Sequence, residues 1–175
     1  NDIQTIIHLA NVANDPTVEL NPNLSWEINV LASKILVEHA IKNKVKKLIF
    51  FSSGSVYGLK KEKKVTENLK LNPISVYNKT KMIAERVFLS FKDKIDIKCL
   101  RPATVCGYAR RQRLDVVVNI LTNLAYHKRE ITIFGGDQLR PNIHIQDMVD
   151  AYLLILGAAR EKVAGKIFNA GYENQ

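Results

Sequence analysis

The chain has 175 residues, of which 46% are hydrophobic and 25% are charged. This composition is typical of one folded unit with a sizeable core, and it excludes a largely disordered chain. No apolar run approaches the ~20 residues that a membrane-spanning helix needs, and the first residues lack the basic and apolar regions of a signal peptide. We therefore expect a cytoplasmic protein. The cysteines and histidines show no metal-ligand spacing, so no metal site is expected.

The formal net charge is +9, and much of it comes from two lysine clusters. Such a charge allows a nucleic-acid-binding protein as one class. No aromatic residues alternate with the lysines to stack bases, so we interpret the clusters as solvated surface and expect no nucleic-acid partner. The clusters consist of Lys42, Lys44, Lys46 and Lys47, and of Lys60, Lys61, Lys63 and Lys64.

Strands and helices alternate along the first part of the chain. Short apolar runs predict buried strands over 5–10, 48–51 and 95–101. Asn21 and Pro22 are typical of a helix start and predict a helix over about 22–43. Ser75 or a neighbour begins a second predicted helix, over about 75–91. A polar, lysine-rich loop is expected over about 58–73.

The pattern is looser after Gly107. It predicts a helix over 114–126, a strand over 130–134, a turn at 135–137 and an extended piece over 142–145. Asp147 is the expected cap of a helix that runs to about Gly157, and a last short strand is predicted over 166–169.

This order of elements predicts a parallel sheet with helices on both faces, which is an α/β doubly wound fold. Ligands of such sheets lie outside the carboxyl ends of the strands. Those ends are Leu9 and Ala10, Ser52 and Ser53, and the segment 101–104. We expect Ser53 and the helix over 75–91 to meet at one crevice.

Tyr77 and Lys81 are four residues apart on that helix and therefore share one face. An ammonium near a phenol favours the phenolate and lowers the pKa of the phenol. A tyrosine tuned in this way can take a proton from an alcohol near neutral pH. A serine, a tyrosine and a lysine that converge on one sugar or alcohol carbon predict oxidoreductase chemistry.

Six segments carry a resemblance to a known family. They are IHLA at 7–10, NVLAS at 29–33, SSGSVYG at 52–58, YNKTK at 77–81, LRP at 100–102 with Gly107, and the segment 134–147. In this order and spacing they resemble the NAD-dependent epimerase/dehydratase family of the extended short-chain dehydrogenase/reductase superfamily, whose members act on nucleotide sugars.

The resemblance implies a partial Rossmann-like domain over 1–107. Residues 108–175 would form part of a small substrate-binding region, interleaved with the last elements of the Rossmann fold. The family's glycine-rich turn for the pyrophosphate is missing, since the first glycine of the chain is Gly54. The expectation is a fragment that lacks the adenosine half of the cofactor site. The family analogy also implies a homodimer through the helices at about 22–43 and 75–91.

The resemblance assigns roles to individual residues, with NAD as the cofactor and NADP not excluded. Ser53, Tyr77 and Lys81 are the implied catalytic residues, although Ser52 is an alternative hydroxyl. Asn29 has an equally good structural interpretation, and Tyr57 is interpreted as a packing residue. The implied cofactor-binding residues are Leu9, Ala10, Asn29, Ser52, Tyr77, Lys81, Pro102 and Ala103, and the implied substrate-binding residues are Ser53, Thr104 and Arg140.

The resemblance also ranks the reactions. Dehydratase relatives carry Asp-Glu directly after the catalytic hydroxyl, and Gly54 and Ser55 at those positions cannot act as acid and base. A nucleotide-sugar epimerase that acts at C4, with Tyr77 as base, needs only the serine, the tyrosine and the lysine. A 4-ketoreductase or a dehydratase of the same family remains the alternative. A non-catalytic Rossmann-like binding or regulatory protein is the alternative of another class.

Overall fold

The computed structural model describes residues 2–62 and 64–172, so Lys63 of the second lysine cluster and the last three residues of the predicted 108–175 region lie outside it. The strands are β1 (Thr5–His8), β2 (Lys47–Phe51), β3 (Asp96–Pro102), β4 (Thr104–Cys106), β5 (Asn142–His144) and β6 (Lys166–Ala170). A four-stranded sheet has the order β1-β2-β3-β6, and β4 pairs with β5. All of these pairings are parallel.

Helices connect the strands. They are α1 (Asp15–Leu20), α2 (Pro22–Trp26), a π-helical segment Glu27–Leu31, α3 (Ala32–Lys42), α4 (Val76–Leu89), α5 (Val117–Lys128), α6 (Ile145–Gly157) and α7 (Arg160–Val163). A 3₁₀ turn, Gly54–Tyr57, follows β2. No helix in the described part of the chain combines the length and the apolar character needed to cross a bilayer.

Both faces of the main sheet are covered, which confirms the doubly wound α/β fold. Side chains alternate along β2, so Leu48 and Phe50 point to one face and Ile49 to the other. The first face packs against Val37 of α3 and Phe88 of α4. The second face packs against α6, where Met148 and Ile155 join the cluster around Ile49.

Two helix starts agree with the sequence predictions. The Asn21 side chain accepts a hydrogen bond from the Leu24 N–H at 3.0 Å, and Ser75 caps α4 through the Asn78 N–H at 3.2 Å. Asp147 does not cap α6. The cap is His144, so the helix begins earlier than predicted and Asp147 lies in its first turn.

Three other predictions need correction. The strand predicted over 130–134 is absent, and its apolar residues Ile131 and Ile133 are exposed. β1 ends at His8 rather than at residue 10. The helix α1 was missed, although Asn14 accepts a hydrogen bond from the Thr17 N–H and Pro16 lies in the first turn. Both are signals that precede helices.

Candidate active site

Lys81 anchors α4 to the carboxyl end of β2. Its ammonium donates a hydrogen bond to the Phe51 carbonyl oxygen at 2.7 Å, and the residue is only 1% exposed. Burial lowers the pKa of Lys81 to about 7, and the charge of Glu85 opposes this shift. A buried ammonium is poorly solvated, so its charge depends on the groups around it.

The Ser53 side chain lies beside the Tyr77 phenol, and its hydroxyl lowers the pKa of Tyr77. The Ser53 hydroxyl also lies 2.7 Å from the Ser55 hydroxyl and accepts a hydrogen bond from the Ser55 N–H at 3.2 Å. These bonds make Ser53 the cap of the 3₁₀ turn. The geometry therefore favours Ser53 over Ser52 as the hydroxyl that acts with Tyr77.

The pKa of Tyr77 is raised, mainly because the phenol is desolvated. The neighbouring Ser53 hydroxyl and the charge of Arg113 lower this pKa, whereas the charge of Asp15 raises it. Arg113 is itself held by a bidentate pair with Asp115, at 3.0 and 2.6 Å. An arginine on the loop before α5 therefore acts on the phenol.

The expected lowering of the Tyr77 pKa by Lys81 is not what this structure shows. The Lys81 ammonium lies 5.9 Å from the centroid of the Tyr77 ring and is directed to the Phe51 carbonyl. It is also closer to the Phe50 ring, at 5.0 Å. Burial dominates the pKa of Tyr77 here, and the cation that opposes it is Arg113.

Ser52 is placed differently from the prediction. It is 0% exposed, its hydroxyl donates to Glu85 Oε1, and its N–H donates to the Leu100 carbonyl oxygen at 2.8 Å. A hydroxyl that is enclosed and bonded inside the protein has no surface to offer a ligand. We therefore remove Ser52 from the candidate cofactor contacts.

Asn29 is buried and binds the chain that follows β1. It accepts from the Val12 N–H at 2.8 Å and donates to the Val12 carbonyl at 3.1 Å and to the Thr80 hydroxyl at 3.1 Å. These contacts favour the structural interpretation of Asn29, which joins the π-helical segment, α4 and the segment after β1.

The other predicted cofactor residues lie around the same crevice. Leu9, at 55% exposure, and Ala10 are exposed directly after β1. Pro102 is buried at the end of β3 and Ala103 is half-buried. The exposed Leu9 and Ala10 are the ones with surface for a ligand.

The predicted substrate residues Thr104 and Arg140 are brought near each other by the small sheet. Thr104 is paired with Asn142, and its N–H donates to the Pro141 carbonyl at 3.2 Å. Arg140, next to Pro141, is exposed. The pairing of β4 with β5 thus brings the backbone next to the exposed Arg140 alongside Thr104.

Sequence reasoning missed Arg113, Glu85 and Arg101. Glu85 and Arg101 form a bidentate ion pair in which both residues are almost fully buried. One signal was available, because Glu85 follows Lys81 by four residues and Tyr77 by eight, which places all three on one helix face. Tyr57 agrees with its interpretation as a packing residue, since it is 4% exposed.

The residues present fit the nicotinamide-ribose half of a dinucleotide. The ammonium of Lys81 has three donors, and Phe51 is its acceptor among the described residues. The Oδ1 atom of Asn11, next to Ala10, is buried with no partner in the described part of the chain. A ribose hydroxyl can accept from an ammonium or donate to an amide oxygen.

Several known proteins are similar to this chain in sequence. A UDP-glucose 4-epimerase of Lactobacillus helveticus is 29% identical over 187 residues, which cover 97% of this chain and 56% of that protein. The chain thus spans about half the length of this curated relative.

Two solved structures are similar in fold. The UDP-glucuronic acid 4-epimerase from Bacillus cereus, in complex with UDP-glucuronic acid and NAD, is 29% identical with a TM-score of 0.86, and the match covers 99% of this chain and 56% of that one. MoeE5, in complex with UDP-glucose and NAD, is 30% identical with a TM-score of 0.83, over 97% of this chain and 57% of that one.

The family assignment follows from the whole length of the match. The sequence profile of the NAD dependent epimerase/dehydratase family matches residues 1–171, and the segments that carried the resemblance lie inside that range. The parallel sheet is consistent with the two similar solved structures. This chain belongs to the NAD dependent epimerase/dehydratase family.

Proposed function

We propose that the protein is a nucleotide-sugar epimerase that uses NAD and acts at C4 of the sugar. The observation that carries the proposal is that the Ser53 hydroxyl and the buried ammonium of Lys81 both lie beside Tyr77. The UDP-glucose 4-epimerase of Lactobacillus helveticus and the UDP-glucuronic acid 4-epimerase from Bacillus cereus support the choice of reaction. NADP is not excluded as the cofactor.

The chemistry of this chain's residues is proton transfer and positioning. A bound nicotinamide supplies reversible hydride acceptance. Tyr77 takes the proton of the sugar hydroxyl as the carbon is oxidised, and returns it after the ketone has presented its other face. Ser53 donates a hydrogen bond to the same oxygen and stabilises its developing charge. Lys81 donates to the ribose hydroxyls, beside Leu9 and Ala10.

Arg140 and Thr104 are the proposed contacts to the nucleotide part of the substrate. The planar guanidinium of an arginine suits the oxygens of a diphosphate. Arg140 is exposed, and it lies just before the segment that pairs with β4. We propose that the sugar ring lies between this diphosphate contact and the Ser53 and Tyr77 side chains.

A sugar 4-ketoreductase is the second candidate, and one observation favours it. The raised pKa of Tyr77 keeps the phenol protonated near neutral pH, which is the form that donates a proton to a ketone. A dehydratase is less well supported, since Gly54 and Ser55 carry no carboxyl group.

We also propose a homodimer through α2, α3 and α4. Leu24, Ile28, Leu31 and Ile35 are all at least 40% exposed, and their helical spacing places them along one stripe. Such a stripe is typical of a surface that packs against another helix. Analytical ultracentrifugation of the wild type and of a Leu31→Glu, Ile35→Glu variant tests this, because the variant is expected to be monomeric. A wild type that is itself monomeric would contradict the proposal.

The decisive experiment uses the complete gene product that contains this chain. It is incubated with NAD and either UDP-glucose or UDP-N-acetylglucosamine, and the sugar products are followed by NMR. The C4 epimer is expected, with a loss of about 10²–10⁴-fold in Tyr77→Phe. Tyr126→Phe is the matched control, because Tyr126 is exposed on α5. Cofactor binding without conversion of either sugar would favour the reductase, and conversion by Tyr77→Phe at the wild-type rate would exclude Tyr77 as the base.

A further inference from the structure

Glu85 is a buried carboxylate on the face of α4 that carries Tyr77 and Lys81. It is 2% exposed and accepts three hydrogen bonds. Arg101 donates through Nε to Oε1 at 2.9 Å and through Nη2 to Oε2 at 2.7 Å, and the Ser52 hydroxyl donates to Oε1. A buried charge is tolerated only when its oxygens are satisfied in this way.

The ion pair extends to two further segments. Arg101 Nη1 donates to the Tyr57 hydroxyl at 2.8 Å, and that hydroxyl donates to Asn169 Oδ1 at 2.8 Å. The Asn169 amide in turn donates to the Val65 carbonyl oxygen at 3.0 Å. One connected set of hydrogen bonds therefore joins α4, the residue that follows β2, β3, β6, the 3₁₀ turn and the loop that follows the turn.

This set holds the segment of Ser53 from both sides. Ser52, directly before Ser53, is bonded to Glu85. Tyr57, at the end of the turn that Ser53 caps, is bonded to Arg101. Because Tyr77 lies on the same helix as Glu85, these buried groups connect the segment of Ser53 to the helix that carries Tyr77.

The same carboxylate acts on the charge of Lys81. Burial lowers the pKa of Lys81 to about 7, and Glu85 is the group that raises it. The other groups around the ammonium are Tyr77 on α4, the Phe51 carbonyl on β2 and His8 on β1. Burial lowers the pKa of His8, and the charge of Lys81 lowers it further. Arg101 on β3 is bound to Glu85.

We propose that Glu85, paired with Arg101, is a positioning residue of the proposed reaction: it fixes the segment of Ser53 relative to α4 and places its carboxylate one helical turn from Lys81. The assignment of a reaction role rests on the proposed function, whereas the effect on Lys81 does not. A pair with a purely structural role would stabilise the fold and leave the protonation of Lys81 unchanged.

Lysine titration by NMR tests this effect without any need for activity. The complete protein is labelled at the lysine ¹³Cε, and the Lys81 signal is identified by its loss in Lys81→Met. We expect a midpoint near pH 7 in the wild type and a downward shift of about one unit in Glu85→Gln. Glu85→Asp, which keeps the charge, should show a smaller shift and serves if the glutamine variant does not fold. Asp96→Asn is the control, since it removes a different buried carboxylate, which lies on β3.

Activity gives the second readout. In Glu85→Gln we expect kcat to fall about tenfold at neutral pH with KM little changed, because a catalytic group loses its charge. The deficit relative to the wild type should become smaller at lower pH, as Lys81 is protonated again. Unchanged Lys81 midpoints in folded Glu85→Gln and Glu85→Asp would overturn the proposal. If the Lys81 midpoint shifts but the protein converts no nucleotide sugar, the effect of Glu85 on Lys81 stands and the proposed function is rejected.

Discussion

Strand β3 carries a buried ion pair near each end. At the carboxyl end, Arg101 and Glu85 belong to a set of hydrogen bonds that joins several elements. Near the amino end, Lys98 and Asp96 lie 2.6 Å apart on the same strand, and Asp96 Oδ1 has no partner in the described part of the chain. The two pairs are similarly buried, so burial alone does not mark a functional pair. The difference is that only the first connects separate elements at the crevice.

The largest expected effect comes from breaking the connected pair. Arg101→Met leaves the Glu85 carboxylate buried without its cation, which should cost about 3–5 kcal/mol of unfolding free energy. Lys98→Met, the matched control, removes one side-chain hydrogen bond within the described part of the chain rather than three and should cost less. Urea denaturation measures both. Equal losses would show that the connections add no stability.

Lys81→Met should stabilise the protein at neutral pH while it abolishes activity. The folded-state pKa of Lys81, about 7, lies below its ordinary value of 10.5. The unfolded chain therefore binds more protons between these values, and the cost of burying the charge declines as pH rises through that window. We expect the advantage of the variant, measured by thermal denaturation, to be largest below pH 7 and to shrink towards pH 10.5.

Lys79→Met provides the control for that comparison, because Lys79 is exposed on the same helix. Its effect on stability should be small and should not vary in this pH window. If Lys81→Met showed an equally constant difference, the lowered pKa of Lys81 would be contradicted.

Replacement of the whole amino-end pair should have a smaller effect. Asp96→Leu combined with Lys98→Met removes both charges together, so no unpaired charge remains. Such exchanges are often neutral or stabilising by about 1–4 kcal/mol. We expect wild-type kcat and a midpoint in urea at or above the wild-type value. A loss of kcat would mean that the amino end of β3 is coupled to the crevice after all.

Arg113→Gln is expected to have the smallest effect. The charge of Arg113 lowers the pKa of Tyr77, so its removal should raise that pKa and move the acid limb of the pH profile of kcat to higher pH. Arg111→Gln, at an exposed neighbour on the same loop, is the control and should leave the profile unmoved. A shift of the limb to lower pH would contradict the assignment of Arg113.

The sequence was sufficient for the elements whose signals are local. The strands are continuous apolar runs, Asn21 and Ser75 mark helix starts, and the spacing of Tyr77 and Lys81 places them on one face. Because the carboxyl ends of parallel strands converge, the meeting of Ser53 with α4 could also be predicted.

The rest depends on contacts between distant segments. Ser52 and Ser53 look alike in sequence, and only the buried carboxylate of Glu85 determines which hydroxyl is enclosed. The approach of Arg113 to Tyr77 depends on the path of an irregular loop. The strand predicted over 130–134 has alternating apolar residues but no partner strand in the described part of the chain, and a strand requires one.

The amide of Asn29 bonds the N–H and the carbonyl of Val12, as a neighbouring strand does when two residues exchange both of their backbone hydrogen bonds. The Asn29 side chain thus takes the place of a backbone partner for Val12 and holds the segment after β1 in place. An aspartate has the same shape but only oxygens, so it would set lone pairs against the Val12 carbonyl. This position therefore discriminates between two side chains that differ by a single NH₂ group, and the backbone that leads to the crevice depends on that difference.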